Sequence, residues 1–150
     1  MEQFYILIIL VCLGYIGGTI AEMRHYRSII TREKEFLKLP AVTIHRMIEK
    51  DAEIKSVEMV QGSAVISVDY FKRILAALRN FFGGEVKAYE SLVDRARREA
   101  TLRMKEKTPN ADIILNTRIE TTTIGRNANR RKSIGSIEAI AYGTSVTYKI

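Results

Sequence analysis

The stretch "LVDRARREATLRMKEKTPNADIILNTRIETTTI", residues 92–124, changes its hydrophobic period once, and that change decides the fold class. Upstream of Lys107, Val86, Tyr89, Val93, Ala96, Ala100 and Met104 recur at helical spacing and mark one face of a helix expected from about residue 85 to 107. Pro109 and Asn110 break the chain. Beyond them the period falls to that of a strand. Ile113, Leu115, Thr117, Ile119, Thr121 and Thr123 face one way, and Ile114, Asn116, Arg118, Glu120 and Thr122 the other.

Working outward, "SIEAIAYGTSVTYKI" alternates again. Ile140, Tyr142, Thr144, Val146, Tyr148 and Ile150 lie on one face, while the small residues Ala139, Ala141, Gly143 and Ser145 lie on the other. The two strands pair most simply as a hairpin. Upstream, "VDYFKRILAALRNFF" places Phe71, Ile74, Leu75 and Leu78 at helical spacing, with Asp69 suited to its start. Gly83 and Gly84 stop that helix and make a tight corner into the next one, whose arginines read as a solvated face. The narrowing of that second helix to Ala96 and Ala100 would let it lie close to a neighbour. "IKSVEMVQGSAVISV" reads as a strand buried on both faces, with Gly62 a bulge or bend. The expected domain, residues 54–150, is α+β. It has a three-stranded antiparallel-type sheet with two helices on one face, in the order β-α-α-β-β. The other sheet face is expected to mix small and polar residues without a helix to cover it. A domain this thin is more comfortable in an oligomer that buries the face.

The N-terminal region differs in kind. Residues 4–21 carry no charge, and Glu2 is the one charged side chain among the first 21. An eighteen-residue helix nearly spans the roughly 30 Å hydrocarbon core, so residues 1–22 read as a single transmembrane anchor. A cleaved signal would need a basic leader, and here the residue ahead of the run is acidic. Arg24, Arg27, Arg32 and Lys34 follow at once, which predicts the N-terminus outside and the domain in the cytoplasm, at the inner membrane of a bacterial cell. Gly14 and Gly18 stand four apart, a spacing that lets two membrane helices approach. Residues 23–53 read as a juxtamembrane helix ended by Pro40, a short strand "AVTIH" and a connector.

Composition excludes several functions. The formal charge of +7 is spread thinly, apart from the loop "GRNANRRKS", and that loop lacks an aromatic for base stacking, so nucleic acid is not an expected partner. Cys12 is the single cysteine, which excludes an intrachain disulfide and a CxxC zinc site. The remaining soft ligands are His25 and His45. His45 and Glu49 stand at helical spacing, yet two ligands do not make a selective site. The sequence lacks GxSxG, HExxH and a phosphate-binding glycine loop, so neither catalysis nor a cofactor is expected. Glu85 and Glu90 suggest no more than solvated acids.

The runs "VQGSAVIS", "ILAALRNFFGGEVKAYESLVDRARREA", "ADIILNTRIETTTI" and "IEAIAYGTSV" follow in order the pattern of the YbjQ family, which residues 54–149 resemble. Members usually have a Gly-Ala pair where this chain has Pro109 and Asn110, and many lack an anchor. The resemblance implies a small α+β domain that assembles into rings, in the manner of pentamers, and carries a heavy-metal-binding label. It implies that Gly83, Gly84, Tyr89 and Arg97, with Tyr142 and Gly143 of the closing motif, shape the subunit for ring packing. In a ring, Asn116, Arg118 and Glu120 would face the lumen. The expected function is thus a membrane-anchored homo-oligomeric scaffold, or alternatively a metal- or small-ligand-binding protein with sites at subunit junctions.

Overall fold

The computed structural model describes residues 1–46, 53–67, 88–124 and 136–149. The first expected domain helix, the corner at Gly83 and Gly84, and the basic loop lie outside these residues. Helix α1 (Glu2–Glu35) runs unbroken from the apolar segment into the charged one. Its last turn tightens into a 3-10 turn, Phe36–Lys38, and Pro40 bars any continuation. Strand β1 (Ile54–Ser67), helix α2 (Ala88–Glu106), strand β2 (Ile113–Ile124) and strand β3 (Ser136–Tyr148) follow.

The three strands form an antiparallel sheet in the order β1-β3-β2, so the expected hairpin is present and its second strand is central. The segment "AVTIH" lies along the outer edge of β2 and runs parallel to it. Ile114 N–H donates to Pro40 O at 2.9 Å and Val42 N–H to Ile114 O at 2.9 Å. Thr117 N–H donates to Val42 O and Asn116 N–H to Ile44 O, both at 2.8 Å.

Helix α2 lies on the face formed by Val60, Gly62, Ala64 and Ile66 of β1 and Ile137, Ala139 and Ala141 of β3. Ala96, Ala100 and Met104 of α2 are fully buried there. The small residues set the distance. A Cβ on Gly62 would overlap the Met104 amide nitrogen and the Ala100 carbonyl, so the helix backbone rests directly on the strand. Full burial of Met104 and Ile114 then contributes about 2 kcal/mol each.

Three expectations are corrected. Gly62 is not a bulge, since the β1–β3 register is continuous from Ser56 to Ser67. Its close contact, not a kink, explains the glycine. The clean alternation of β2 fails because a bulge lies between Leu115 and Arg118, opposite Gly143. One extra residue there reverses the parity, so Ile114 and Ile119 share the helix-side core, whereas Ile113 and Leu115 pack with Val146 on the other face. Finally, β1 is buried on one face alone. Val57, Met59 and Val65 are 53, 76 and 53% exposed, on the same side as Ile140, which is 37% exposed, and Tyr142. The small residues of β3 are the covered ones, and the uncovered face carries the larger apolar side chains among polar ones such as Gln61, Ser63 and Glu138. No described element packs over its centre.

Candidate functional site

Two polar constellations emerge from this packing. The first joins α1 to α2. Residues 22, 26, 29, 33 and 36 of α1 recur at helical spacing and face α2, closing over Ile29, which has no exposed surface. Arg32 donates to both carboxylate oxygens of Glu99, and its Nη1 also reaches Glu106 Oε1 at 3.0 Å. Arg103 Nε donates to Glu99 Oε1 at 2.9 Å and its Nη1 to Ser63 O at 2.9 Å, tying the cluster to β1. Arg98 forms a fork with Glu33, at 2.7 and 2.6 Å. Arg95 lies 3.5 Å from Glu22 Oε1 and 5.7 Å above the Tyr26 ring, and the Tyr26 hydroxyl donates to Ser91 O.

The arginine-rich face of α2 is therefore not simply solvated. The expected pairs Asp94–Arg98 and Glu99–Arg103 do form, at 3.6 and 2.9 Å, but α1 supplies the stronger partners for Arg98 and Glu99. Burial opposes ionisation of Glu99, and hydrogen bonds from Arg32 and Arg103 outweigh it, holding the carboxyl below its usual range. The hydrogen bond from Arg98 likewise holds Glu33 low. His25 Nε2 is 3.7 Å from Glu99 Oε2, and burial together with the Arg95 charge pushes its pKa down. Among the described residues its Nδ1 is buried without a hydrogen-bond partner.

The second constellation is an open cleft of about 600 Å³ lined by Arg97 and Thr101 of α2, Ala41 and Thr43 of the edge segment, and Asn116 to Glu120 of β2. The β2 bulge builds it. Asn116 has φ 50°, the single non-glycine residue with positive φ among those described, and asparagine tolerates that region better than most. This turn aims the Asn116 and Thr117 amides at Ile44 and Val42. The edge segment leaves β2 at that point, and the cleft opens where it departs.

The expected site residues distribute unevenly. Asn116, Arg118, Glu120 and Arg97 all border this cleft, while the register turns Arg118 and Glu120 toward the face of Tyr142 and Ile140, away from α2. Tyr142 lies on the uncovered sheet face between Gln61 and Arg118. Gly143 faces the bulge, where a Cβ would stand 2.8 Å from Ile114 Cγ2. Gly14 and Gly18 lie on the part of α1 that is not buried against any of the described residues. Gly83, Gly84, Glu49 and the Tyr89 side chain lie outside the described residues. His45 is exposed, Cys12 is exposed on α1, and His25 belongs to the helix seam. No three potential ligands among the described residues converge on a metal position. Among the described residues these donors do not fit a heavy-metal site.

The seam was within reach of sequence only as a stripe. Glu22, Tyr26, Ile29, Glu33 and Phe36 recur at helical spacing, but nothing in their order names α2 as the partner.

Comparison with known proteins places this geometry. The profile of the YbjQ family, described as "Putative heavy-metal-binding", matches residues 41–149, and so includes the edge segment that pairs with β2. A UPF0145 protein of Clostridium novyi is 38% identical over 96 residues, covering 63% of this chain and 85% of that protein. UPF0145 proteins of Hahella chejuensis and Halobacterium salinarum are each 36% identical over 95 residues, covering 62% of this chain and 84% of theirs. A crystal structure of a DUF74-family protein of unknown function from Pediococcus pentosaceus aligns with a TM-score of 0.40 at 15% identity, covering 74% of this chain and 96% of that one. With its matched region extending from the edge segment to the end of β3, the chain belongs to the YbjQ family.

Proposed function

We propose that this protein is a membrane-anchored homo-oligomeric scaffold or binding protein, without catalytic activity, whose domain lies in the cytoplasm. The observation that carries the reading is the uncovered sheet face, where the exposed Val57, Met59, Val65 and Ile140 and the half-buried Tyr142 stand together with Gln61, Ser63 and Glu138. Exposed apolar surface in one contiguous patch is an interaction site more often than an accident. A second copy of the chain is the occupant, and closed symmetry with ring-like packing satisfies every face equally. The first half of α1 supports the anchor: it is long and apolar enough to cross a bilayer, and its apolar window is not buried among the described residues. Arg24, Arg27 and Lys34, exposed on α1 after that half, favour the cytoplasmic side.

Native mass spectrometry in detergent tests this on the full chain and on a chain starting at Ala21, which keeps the packed half of α1. The same discrete oligomer in both is the expected result, and Met59→Glu should dissociate it. A monomeric full chain refutes the scaffold. An oligomer confined to the full chain moves assembly to the membrane helix, where Gly14→Leu and Gly18→Leu become the tests.

A second reading, a small-ligand-binding protein, is favoured by one observation. Residues of three separate elements, α2, the edge segment and β2, line one cleft of a volume suited to a small molecule.

A further inference from the structure

The charges on the second half of α1 are sorted by face. Glu22 and Glu33 turn to α2, where Arg95 and Arg98 meet them. Arg24, Arg27, Thr31 and Lys34 recur at intervals of three and four residues, and all are exposed. At about 100° per residue they line up on the side of the helix opposite residues 22, 26, 29 and 33. Lys38, exposed in the 3-10 turn, extends the row. One acid, Glu35, stands at its border. Like charges three or four residues apart repel, so the row costs the isolated helix stability unless an anionic surface lies against it. The row also begins where the apolar run ends, since Arg24 is three residues beyond Ala21.

We propose that this row docks on the anionic phospholipid headgroups of the bilayer that holds the anchor, so that α1 leaves the membrane tilted with its basic face down. The proposal rests on the anchor reading and is independent of the oligomer and of the cleft. Continuity with the apolar run makes lipid, rather than an acidic protein, the occupant. Arg24 and Arg27 stand close enough to that run for their long side chains to reach the headgroup layer. Lys34 stands about 15 Å farther along the axis than Arg24, so it nears the surface only when the helix tilts toward this face. Tilts up to about 40° are ordinary for membrane helices. This direction of tilt meets no obstacle from α2, which packs on the other side of α1. The reverse tilt would press α2 toward the lipid.

Native mass spectrometry of the full chain released from nanodiscs of equal phosphatidylcholine and phosphatidylglycerol, with the retained lipids counted, tests this. Phosphatidylglycerol should be retained in an excess on the order of tenfold. Arg24→Gln and Arg27→Gln should each lower that excess by up to about fivefold, and Lys34→Gln by less, because it stands farther from the span. Exchanging Arg27 with Ser28 (Arg27→Ser with Ser28→Arg) keeps the charge at the same height but turns it about 100° around the helix, and should lower the excess as Arg27→Gln does. Arg46→Gln with Lys107→Gln removes two exposed charges elsewhere and should leave it within about twofold. Thermal midpoints check that each variant is folded. The proposal is overturned by equal retention of the two lipids, by an undiminished excess in the exchange variant, or by equal loss when Arg46 and Lys107 are changed. Saturable binding of polyglutamate without a lipid preference would assign the row to an acidic protein and likewise overturn it. Flotation with phosphatidylcholine vesicles after an alkaline carbonate wash reports the anchor separately. A chain that stays with them but shows no lipid preference refutes the row alone, whereas a chain stripped from them refutes the anchor.

Discussion

Helix α1 is one continuous helix in two environments. Before residue 21, Phe4, Ile6, Ile9, Leu10, Leu13 and Ile16 are each more than half exposed. After it, Ile29 has no exposed surface, and Glu22, Arg32 and Glu33 are paired with α2. The backbone hydrogen bonds are the same in both halves, so helicity does not distinguish them. What differs is the solvent each half requires. The first half offers the domain no charged group after Glu2 and no narrow stripe, being apolar on every side, which suits lipid. The second half has a stripe one residue wide, bordered by charges that reach across to α2. The two halves share one unbroken helix, so the apolar half leads directly into the half that is paired with α2.

The comparison can be broken by mutation. Ile29→Ala should cost about 2–5 kcal/mol, as for any fully buried isoleucine, while Ile9→Ala should change domain stability by less than about 0.5 kcal/mol. Thermal unfolding in detergent measures both, and equal effects would mean that the two halves are not distinct. Glu99→Ala should cost roughly 3 kcal/mol, the low end for breaking a buried pair, because it leaves Arg32 and Arg103 facing each other and His25.

Acid should loosen the seam in two stages. The folded state holds His25 below its ordinary value of 6.5, so the unfolded chain takes up the proton first. Its contribution is complete above pH 6.5 and is lost as the pH falls. Glu33 and Glu99 are held below 4.5, so their contribution is complete above that value and is lost as the pH falls through their folded pKa values. A stability profile of the wild type should therefore decline below pH 6.5 and again below 4.5, with the first step absent in His25→Gln. The smallest effect belongs to Asp94→Ala. Its pair with Arg98 is exposed at 3.6 Å, and its loss should cost a few tenths of a kcal/mol, leaving the Arg98–Glu33 fork intact.

Much of this protein is local physics and could be read without coordinates. The change of period at Pro109, the β2–β3 hairpin, the alanine face of α2, the end of α1 before Pro40 and the apolar run at its start all depend on residues near one another in the chain. The uncovered sheet face was legible as a place, but not as a chemistry. Its odd-numbered β1 residues, Val57, Met59 and Val65, reveal their side only once the register with β3 is known. Tertiary structure alone decided two things: the parity of β2 beyond its bulge and the partner of the α1 stripe. Each depends on a contact between distant segments. A one-residue bulge reverses every side chain after it, and alternation in a sequence carries no mark of where that residue sits. Complementary charges on two helices are equally consistent with solvent, until burial of a residue such as Ile29 brings the helices together.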